Sequence, residues 1–114
     1  MIFNLFGKAD PNAAARNIGH DELQQSVKNG AVAVVDVREP HEFAAGHIPG
    51  AVNLPLSRFD PADLPAGKPV ALICQAGARS ARALAKALAA GATDIRHYPG
   101  GMSLWRTSGG EVVR

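Results

Sequence analysis

Apolar residues follow two patterns along this chain, and the two patterns alternate. Nearly continuous apolar runs at 31–37 and 69–73 predict strands that are covered on both faces. Apolar residues at helical spacing predict one helix over 21–29 and another that starts at Ser80 and is ended by Gly91. The chain therefore combines buried strands with amphipathic helices.

Shorter signals fill the gaps between these elements. Pro40 suits the first turn of a short helix that runs through Ala45, and the prolines between 61 and 69 predict a loop. The remaining elements are two short strands and a turn into a last helix, at 52–54, 95–98 and 100–105. Because strands and helices alternate, the sheet should be parallel, with right-handed crossovers and helices on both faces. In such an α/β fold, sites form beyond the carboxyl ends of the strands.

Length, charge and cysteine content limit the class of protein. A chain of 114 residues fits one domain that can bury a core without metals or disulfides. Its net charge of +2, its scattered basic residues and its few aromatic residues argue against nucleic acid as a partner. The single cysteine cannot form an internal disulfide, which favours a reducing compartment.

The N-terminal residues are expected to form a flexible arm over 1–17, ahead of a domain at 18–114. Residues 1–8 lack the basic-then-apolar order of a signal peptide, and no later run is long enough to span a bilayer. We therefore expect a cytoplasmic protein with no membrane partner.

Cys74 is the main candidate for chemistry, because it directly follows a predicted strand and precedes a predicted helix. The free N–H groups and the positive dipole end of such a helix stabilise an anion, including a thiolate. The alternative is a buried core cysteine with no chemical role. Gly77, the small Ala76 and Ala78, and the charge of Arg79 favour a reactive cysteine with a lowered pKa.

Several motifs in order resemble the signatures of the rhodanese family. They are the segments at 36–39, 42–43, 46–53, 74–80 and 100–105, which read DVRE, EF, GHIPGAVN, CQAGARS and GGMSLW. The resemblance runs from about Ile18 to the C-terminus, and its specificity comes from the order of the motifs, since each alone is weak. It implies a single rhodanese-like domain with a five-stranded parallel sheet flanked by helices on both faces.

The resemblance also implies an activity, which is sulfur transfer through a persulfide on Cys74. The thiolate would attack the outer sulfur of a donor such as thiosulfate, release sulfite and pass the sulfur to cyanide or a thiol. The partners implied are this small anionic donor and a thiol or protein persulfide, with no metal and no organic cofactor. The alternative is a non-catalytic or sulfur-carrier binding module of the same fold. The implied substrate-binding residues form the loop after the cysteine, namely Gln75, Ala76, Gly77, Ala78, Arg79 and Ser80.

Two features of the loop refine this expectation. Phosphatases on similar scaffolds have a longer loop between cysteine and arginine, so the short segment from Cys74 to Arg79 favours sulfur over phosphoryl chemistry. Many active members of the family carry a cationic residue directly after the cysteine, where this chain has Gln75. With one charge fewer, thiosulfate should bind weakly.

Asp36 and Arg38 are expected to flank the pocket at the end of the first strand. A structural ion pair, or loop-organising hydrogen bonds between Arg38 and Glu42, is a better explanation of these residues than catalysis. They are therefore candidates to hold the pocket residues in place without contacting the substrate.

Overall fold

A parallel sheet organises residues 16–114, which are the residues that the computed structural model describes. The strands are β1 (Ala33–Asp36), β2 (Val52–Asn53), β3 (Val70–Ile73) and β4 (Ile95–His97). They form a four-stranded sheet in the order β2-β1-β3-β4. The helices are α1 (His20–Asn29), α2 (Pro40–Ala44), α3 (Ala78–Ala89) and α4 (Gly101–Thr107), and short 3-10 turns lie at Leu56–Arg58 and Pro61–Asp63.

The two central strands are apolar throughout because both of their faces are covered. β1 and β3 pair in register from Ala33 with Val70 to Asp36 with Ile73. Successive side chains point to opposite faces, so Val35 and Leu72 pack with α3 while Val34 and Ala71 join a second cluster. That second cluster contains Ile18, Leu23, Tyr98, Met102 and Trp105. The α/β fold with helices on both faces is therefore confirmed.

The prediction of a five-stranded sheet is wrong for the residues that the structure describes. On the side of β4 that faces away from β3, the described residues form only an isolated bridge, in which Asn17 faces His97. The N–H of Ile18 donates to the His97 carbonyl there at 2.9 Å. Gly19, in extended conformation, is the N-cap of α1, so the chain leaves the sheet after this single contact. One bridge is too short to make a strand.

The predicted arm over 1–17 is only partly visible, since residues 1–15 lie outside the described part of the chain. Its last two residues contact the sheet. Arg16 Nη1 donates to the carbonyls of Thr93 and Ile95 at 2.6 and 3.1 Å, and Asn17 forms the bridge to β4. Within residues 16–114, no helix has both the length and the apolar character needed to cross a membrane.

The main helix on the Cys74 side begins earlier than the sequence pattern predicts. α3 starts at Ala78 rather than at Ser80, because Gly77 provides its N-terminal cap. Arg79 consequently lies in the first turn of the helix and not in the loop before it. The predicted loop over 61–69 also contains a 3-10 turn, in which the side chain of Asp60 accepts a hydrogen bond from the N–H of Ala62 at 2.9 Å.

Candidate active site

Cys74 lies where β3 ends and the chain turns into α3. The turn is made by Gly77, which has a φ of 102°. A Cβ at this position would lie 2.5 Å from the carbonyl oxygen of Pro99, so that both the backbone conformation and the space require glycine. The turn is tight enough to bring the first N–H groups of α3 around the cysteine sulfur.

The N-terminus of α4 fixes the other side of the loop. The N–H of Met102 donates to the carbonyl of Cys74 at 2.8 Å, and the N–H of Ser103 donates to the carbonyl of Gln75 at 3.1 Å. These bonds hold two loop carbonyls toward α4, which leaves the loop N–H groups free to face the sulfur. The loop is therefore organised by two helix N-termini.

The sulfur of Cys74 is surrounded by hydrogen-bond donors although the residue is only 1% exposed. The N–H groups of Gly77 and Ser80 donate to Sγ at 3.1 and 3.3 Å, and the thiol lies 3.5 Å from Ser80 Oγ. Burial raises the pKa of the thiol, but the hydroxyl of Ser80 and the N–H groups of Ser80, Gly77 and Ala76 lower it by more. The net pKa lies below the ordinary cysteine value, so this buried site favours a thiolate.

The first residues of the loop form the rim of the site. Gln75, Ala76 and Ala78 are exposed, and Gln75 Nε2 donates to Ser103 Oγ at 3.1 Å. The rim is therefore small and uncharged.

Arg79, the charged residue in the first turn of α3, forms an ion pair with Glu42. Its Nη1 and Nη2 atoms donate to the two carboxylate oxygens of Glu42 at 2.6 and 3.0 Å. The hydrogen bonds from Arg79 lower the pKa of Glu42 to about 2, against an opposing effect of burial. The hydrogen bond expected between Arg38 and Glu42 is present, and it joins Arg38 Nη1 to the backbone carbonyl of Glu42 at 3.3 Å. The pairing of the Glu42 carboxylate with Arg79 was not predicted from the sequence.

Asp36 and Arg38 form a buried ion pair, with Arg38 Nη2 2.8 Å from Asp36 Oδ2. Arg38 Nη2 also donates to the carbonyl of Gly46 at 2.8 Å, and Arg38 Nη1 donates to Glu42 as above. The pair thus ties the end of β1 to the middle of α2 and to the residue that follows its C-terminal cap. Neither side chain has a hydrogen bond to residues 74–80, but the pair holds the helix from which Glu42 reaches Arg79. This geometry favours a structural role over catalysis.

His97 is the residue that sequence reasoning missed. Its Nδ1 atom lies 3.0 Å from Ser80 Oγ, the same hydroxyl that faces the cysteine sulfur. Burial lowers the pKa of the imidazole. The position of His97 at the end of β4 could have identified it as a site residue. β4 lies beside β3, and the carboxyl ends of neighbouring parallel strands share one edge of a sheet.

A family model described as the rhodanese-like domain matches residues 19–108. The chain belongs to this family. The rhodanese-like family model covers all four strands and the cysteine loop, so the resemblance of the motifs and the observed architecture agree.

The relatives of this rhodanese-like domain include both enzymes and proteins of unassigned role. An uncharacterized Synechocystis protein is 45% identical over 94 residues, which are 81% of this chain and 52% of that protein. The chain thus spans about half the length of that relative. Thiosulfate sulfurtransferase GlpE of Pseudomonas putida is 40% identical over 90 residues, 75% of this chain and 79% of the enzyme. A rhodanese-related crystal structure from Thermoplasma volcanium is 36% identical, with a TM-score of 0.77 over 86% of this chain and 97% of that one.

A groove of about 530 Å³ lies at the opposite, amino-terminal end of the strands of this rhodanese-like domain. Its lining includes Val70, Ile95 and the end of α3 near Gly91. Among the described residues, no cysteine, serine or histidine lines it. In residues 16–114, no three His, Cys, Asp or Glu side chains come together in a way that could hold a metal ion. The cysteine loop is therefore the candidate active site.

Proposed function

We propose that this domain is a sulfurtransferase in which Cys74 accepts a sulfane sulfur and carries it as a persulfide to a thiophilic acceptor. The observation that carries the proposal is the set of donors around the sulfur, with the N–H groups of Gly77 and Ser80 at 3.1 and 3.3 Å. Such donors stabilise the thiolate before the reaction and the anions that form during it.

The reaction conserves atoms and electrons without a cofactor. With thiosulfate, the Cys74 thiolate attacks the outer sulfur, the sulfur–sulfur bond of the donor breaks, and sulfite leaves with the bonding pair. The product is a persulfide anion on Cys74. An acceptor such as cyanide then attacks the terminal sulfur, forms thiocyanate and returns the thiolate. The negative charge stays near the loop N–H groups in each of these steps.

The pairing of Arg79 affects which donor the site favours. Arg79 is the charged side chain of the segment from Cys74 to Ser80, and both of its terminal nitrogens bond to Glu42. A dianionic donor therefore meets a carboxylate beside the cation that would bind it. We propose that thiosulfate is a usable but weakly held donor, and that a less charged persulfide of a thiol or protein is the better one.

The alternative function, a sulfur carrier or binding module without turnover, is favoured by one observation. The cysteine is only 1% exposed, so a donor or acceptor has limited access to the sulfur. Such a module would be loaded once by a donor and would then release sulfur only to a specific partner. The two functions differ in turnover with a small acceptor.

Mass spectrometry after incubation with thiosulfate tests the proposal. The expected result is a gain of one sulfur atom on the peptide that contains Cys74, which is the only cysteine of the chain. Addition of cyanide should remove that sulfur and produce thiocyanate over many cycles. Loading with a single release would favour the carrier module. The absence of any loading from thiosulfate, a small persulfide and a protein persulfide would refute both sulfur transfer and sulfur carriage.

A further inference from the structure

Three side chains from separate elements form a line that ends at the cysteine sulfur. The thiol of Cys74 lies 3.5 Å from Ser80 Oγ, and Ser80 Oγ lies 3.0 Å from His97 Nδ1. Cys74 and Ser80 are buried, whereas His97 is partly exposed. The line therefore joins a buried sulfur to an imidazole that can exchange protons with water.

Ser80 has one hydroxyl hydrogen and three neighbours that can accept it. They are Cys74 Sγ, His97 Nδ1 and the carbonyl of Gly77, which is 3.2 Å from Ser80 Oγ. When Nδ1 carries no proton, it competes for the hydroxyl hydrogen. When Nδ1 carries a proton, it must donate to Ser80 Oγ, and the hydroxyl hydrogen is then available to a thiolate. Whether Nδ1 of His97 carries a proton thus decides which acceptor the Ser80 hydroxyl faces.

We propose that His97 is a positioning residue that controls the reactivity of Cys74 through Ser80. On ionisation, the thiol proton passes to Ser80 Oγ while the hydroxyl proton of Ser80 passes to His97 Nδ1. No covalent bond between heavy atoms changes, and the charge that appears on sulfur is balanced by the imidazolium. The proton then leaves from the imidazole to water. The proposal deepens the proposed function, since it assumes that Cys74 is the reacting group.

The charged groups near this line do not take the place of His97. Arg79, from the same helix as Ser80, is bonded to Glu42, and Arg96, next to His97 on β4, is bonded to Glu22. From β3 the group that faces the line is Cys74 itself. The lowering of the His97 pKa comes from burial alone, with no charged neighbour contributing. Burial thus favours the neutral imidazole, which can take the hydroxyl proton of Ser80 at Nδ1 and release a proton to water from the partly exposed ring.

The test measures the rate of Cys74 alkylation by iodoacetamide as a function of pH in four variants. His97→Leu removes the imidazole, and Ser80→Ala removes the hydroxyl. Each should move the midpoint of the rate profile upward by about one pH unit, which is a tenfold loss of thiolate below the midpoint. The double variant should move no further than either single one, because both changes break the same line. His97→Asn, whose amide can still donate to Ser80 Oγ, should restore most of the loss.

A matched control removes another imidazole that makes a hydrogen bond away from the cysteine. His20 Nδ1 lies 2.8 Å from the hydroxyl of Tyr98, so His20→Leu also loses a bonded, partly buried imidazole. Its alkylation profile should match that of the unmodified protein. Thermal unfolding of every variant shows whether the fold is retained.

Two outcomes overturn the proposal. One is an unchanged alkylation midpoint in folded His97→Leu, and the other is a double variant whose shift is the full sum of the two single shifts. Alkylation needs no sulfur donor, so these results are independent of whether the protein transfers sulfur. Failure of the proposed function would instead appear as absent persulfide on a cysteine that still titrates as described.

Discussion

The bond between Arg79 and Glu42 makes a quantitative prediction about donor binding. Glu42→Gln keeps the shape of the side chain but removes the carboxylate charge that now neutralises Arg79. The hydrogen bonds from Arg79 are the main cause that lowers the pKa of Glu42 from 4.5 to about 2, and the N–H of Glu39 and the charge of Arg38 add to it. The whole shift corresponds to about 3 kcal/mol, of which the pair with Arg79 is the largest part. The two side chains are 31% and 27% exposed, so solvent screening reduces the interaction to about 1 kcal/mol.

Loss of this interaction energy in Glu42→Gln should have opposite effects on catalysis and on stability. A donor that binds Arg79 no longer displaces a carboxylate in Glu42→Gln, so kcat/KM for thiosulfate should rise about fivefold, as about 1 kcal/mol predicts. The gain should shrink at high salt, because the site is partly exposed. The variant should also lose about 1 kcal/mol of unfolding free energy at neutral pH.

The stability effect has a defined dependence on pH. The folded-state pKa of Glu42 is depressed, so the pair contributes its full stability above pH 4.5 and loses it as the pH falls toward 2. The stability difference between the unmodified protein and Glu42→Gln should therefore vanish in that range. Urea unfolding at a series of pH values measures it.

Steady-state kinetics with thiosulfate and cyanide at two salt concentrations decide the catalytic part. Glu22→Gln is the matched control, since Glu22 makes the same two-bond pair with Arg96, at 3.1 and 2.6 Å, away from the cysteine loop. Its kcat/KM should not change. An unchanged or lower kcat/KM in folded Glu42→Gln would refute the reasoning, because it would mean that Arg79 acts on the donor only while Glu42 orients it.

The remaining predictions concern the loop itself. Iodoacetamide labelling of Cys74 should titrate below the free-cysteine value of about 8.5, and Cys74→Ser should make no thiocyanate; a midpoint at or above that value would contradict the observed donor set. Gln75→Arg should raise kcat/KM for thiosulfate about fivefold at low salt, and no gain would indicate that the donor does not pass this side of the rim. Aryl phosphates should not be hydrolysed, since the loop from Cys74 to Arg79 is too short to encircle a phosphoryl group; Cys74-dependent hydrolysis would disprove the argument from loop length.

The parts of the fold and site that could be predicted from sequence are those that depend on neighbouring residues. The buried strands β1 and β3 can be predicted because each is a continuous apolar run. The ion pair of Asp36 and Arg38 can be predicted because its partners are two positions apart. The fifth strand was implied only by the family resemblance, since the local patterns themselves predict four strands. On the side of β4 that faces away from β3, residues 16–114 provide only the single bridge at Asn17, and one bridge leaves no local pattern.

The contacts that sequence reasoning missed join residues that are far apart in the chain. Glu42 reaches Arg79 across 37 positions, and Ser80 reaches His97 across 17. Each contact exists because the parallel sheet brings the carboxyl ends of different strands to one edge. A motif shows which residues are present at that edge, but the strand order decides which of them touch.

Arg79 also departs from a local rule, and the departure points to the site. It lies in the first turn of α3, where the positive end of the helix dipole disfavours a cation, and that turn contains no acidic residue of its own. Glu42 from α2 supplies the missing negative charge. The anionic donor of the proposed function would supply the same charge, so it would compete with Glu42 for Arg79. Removal of the Glu42 carboxylate should therefore help an anionic donor while it destabilises the folded protein.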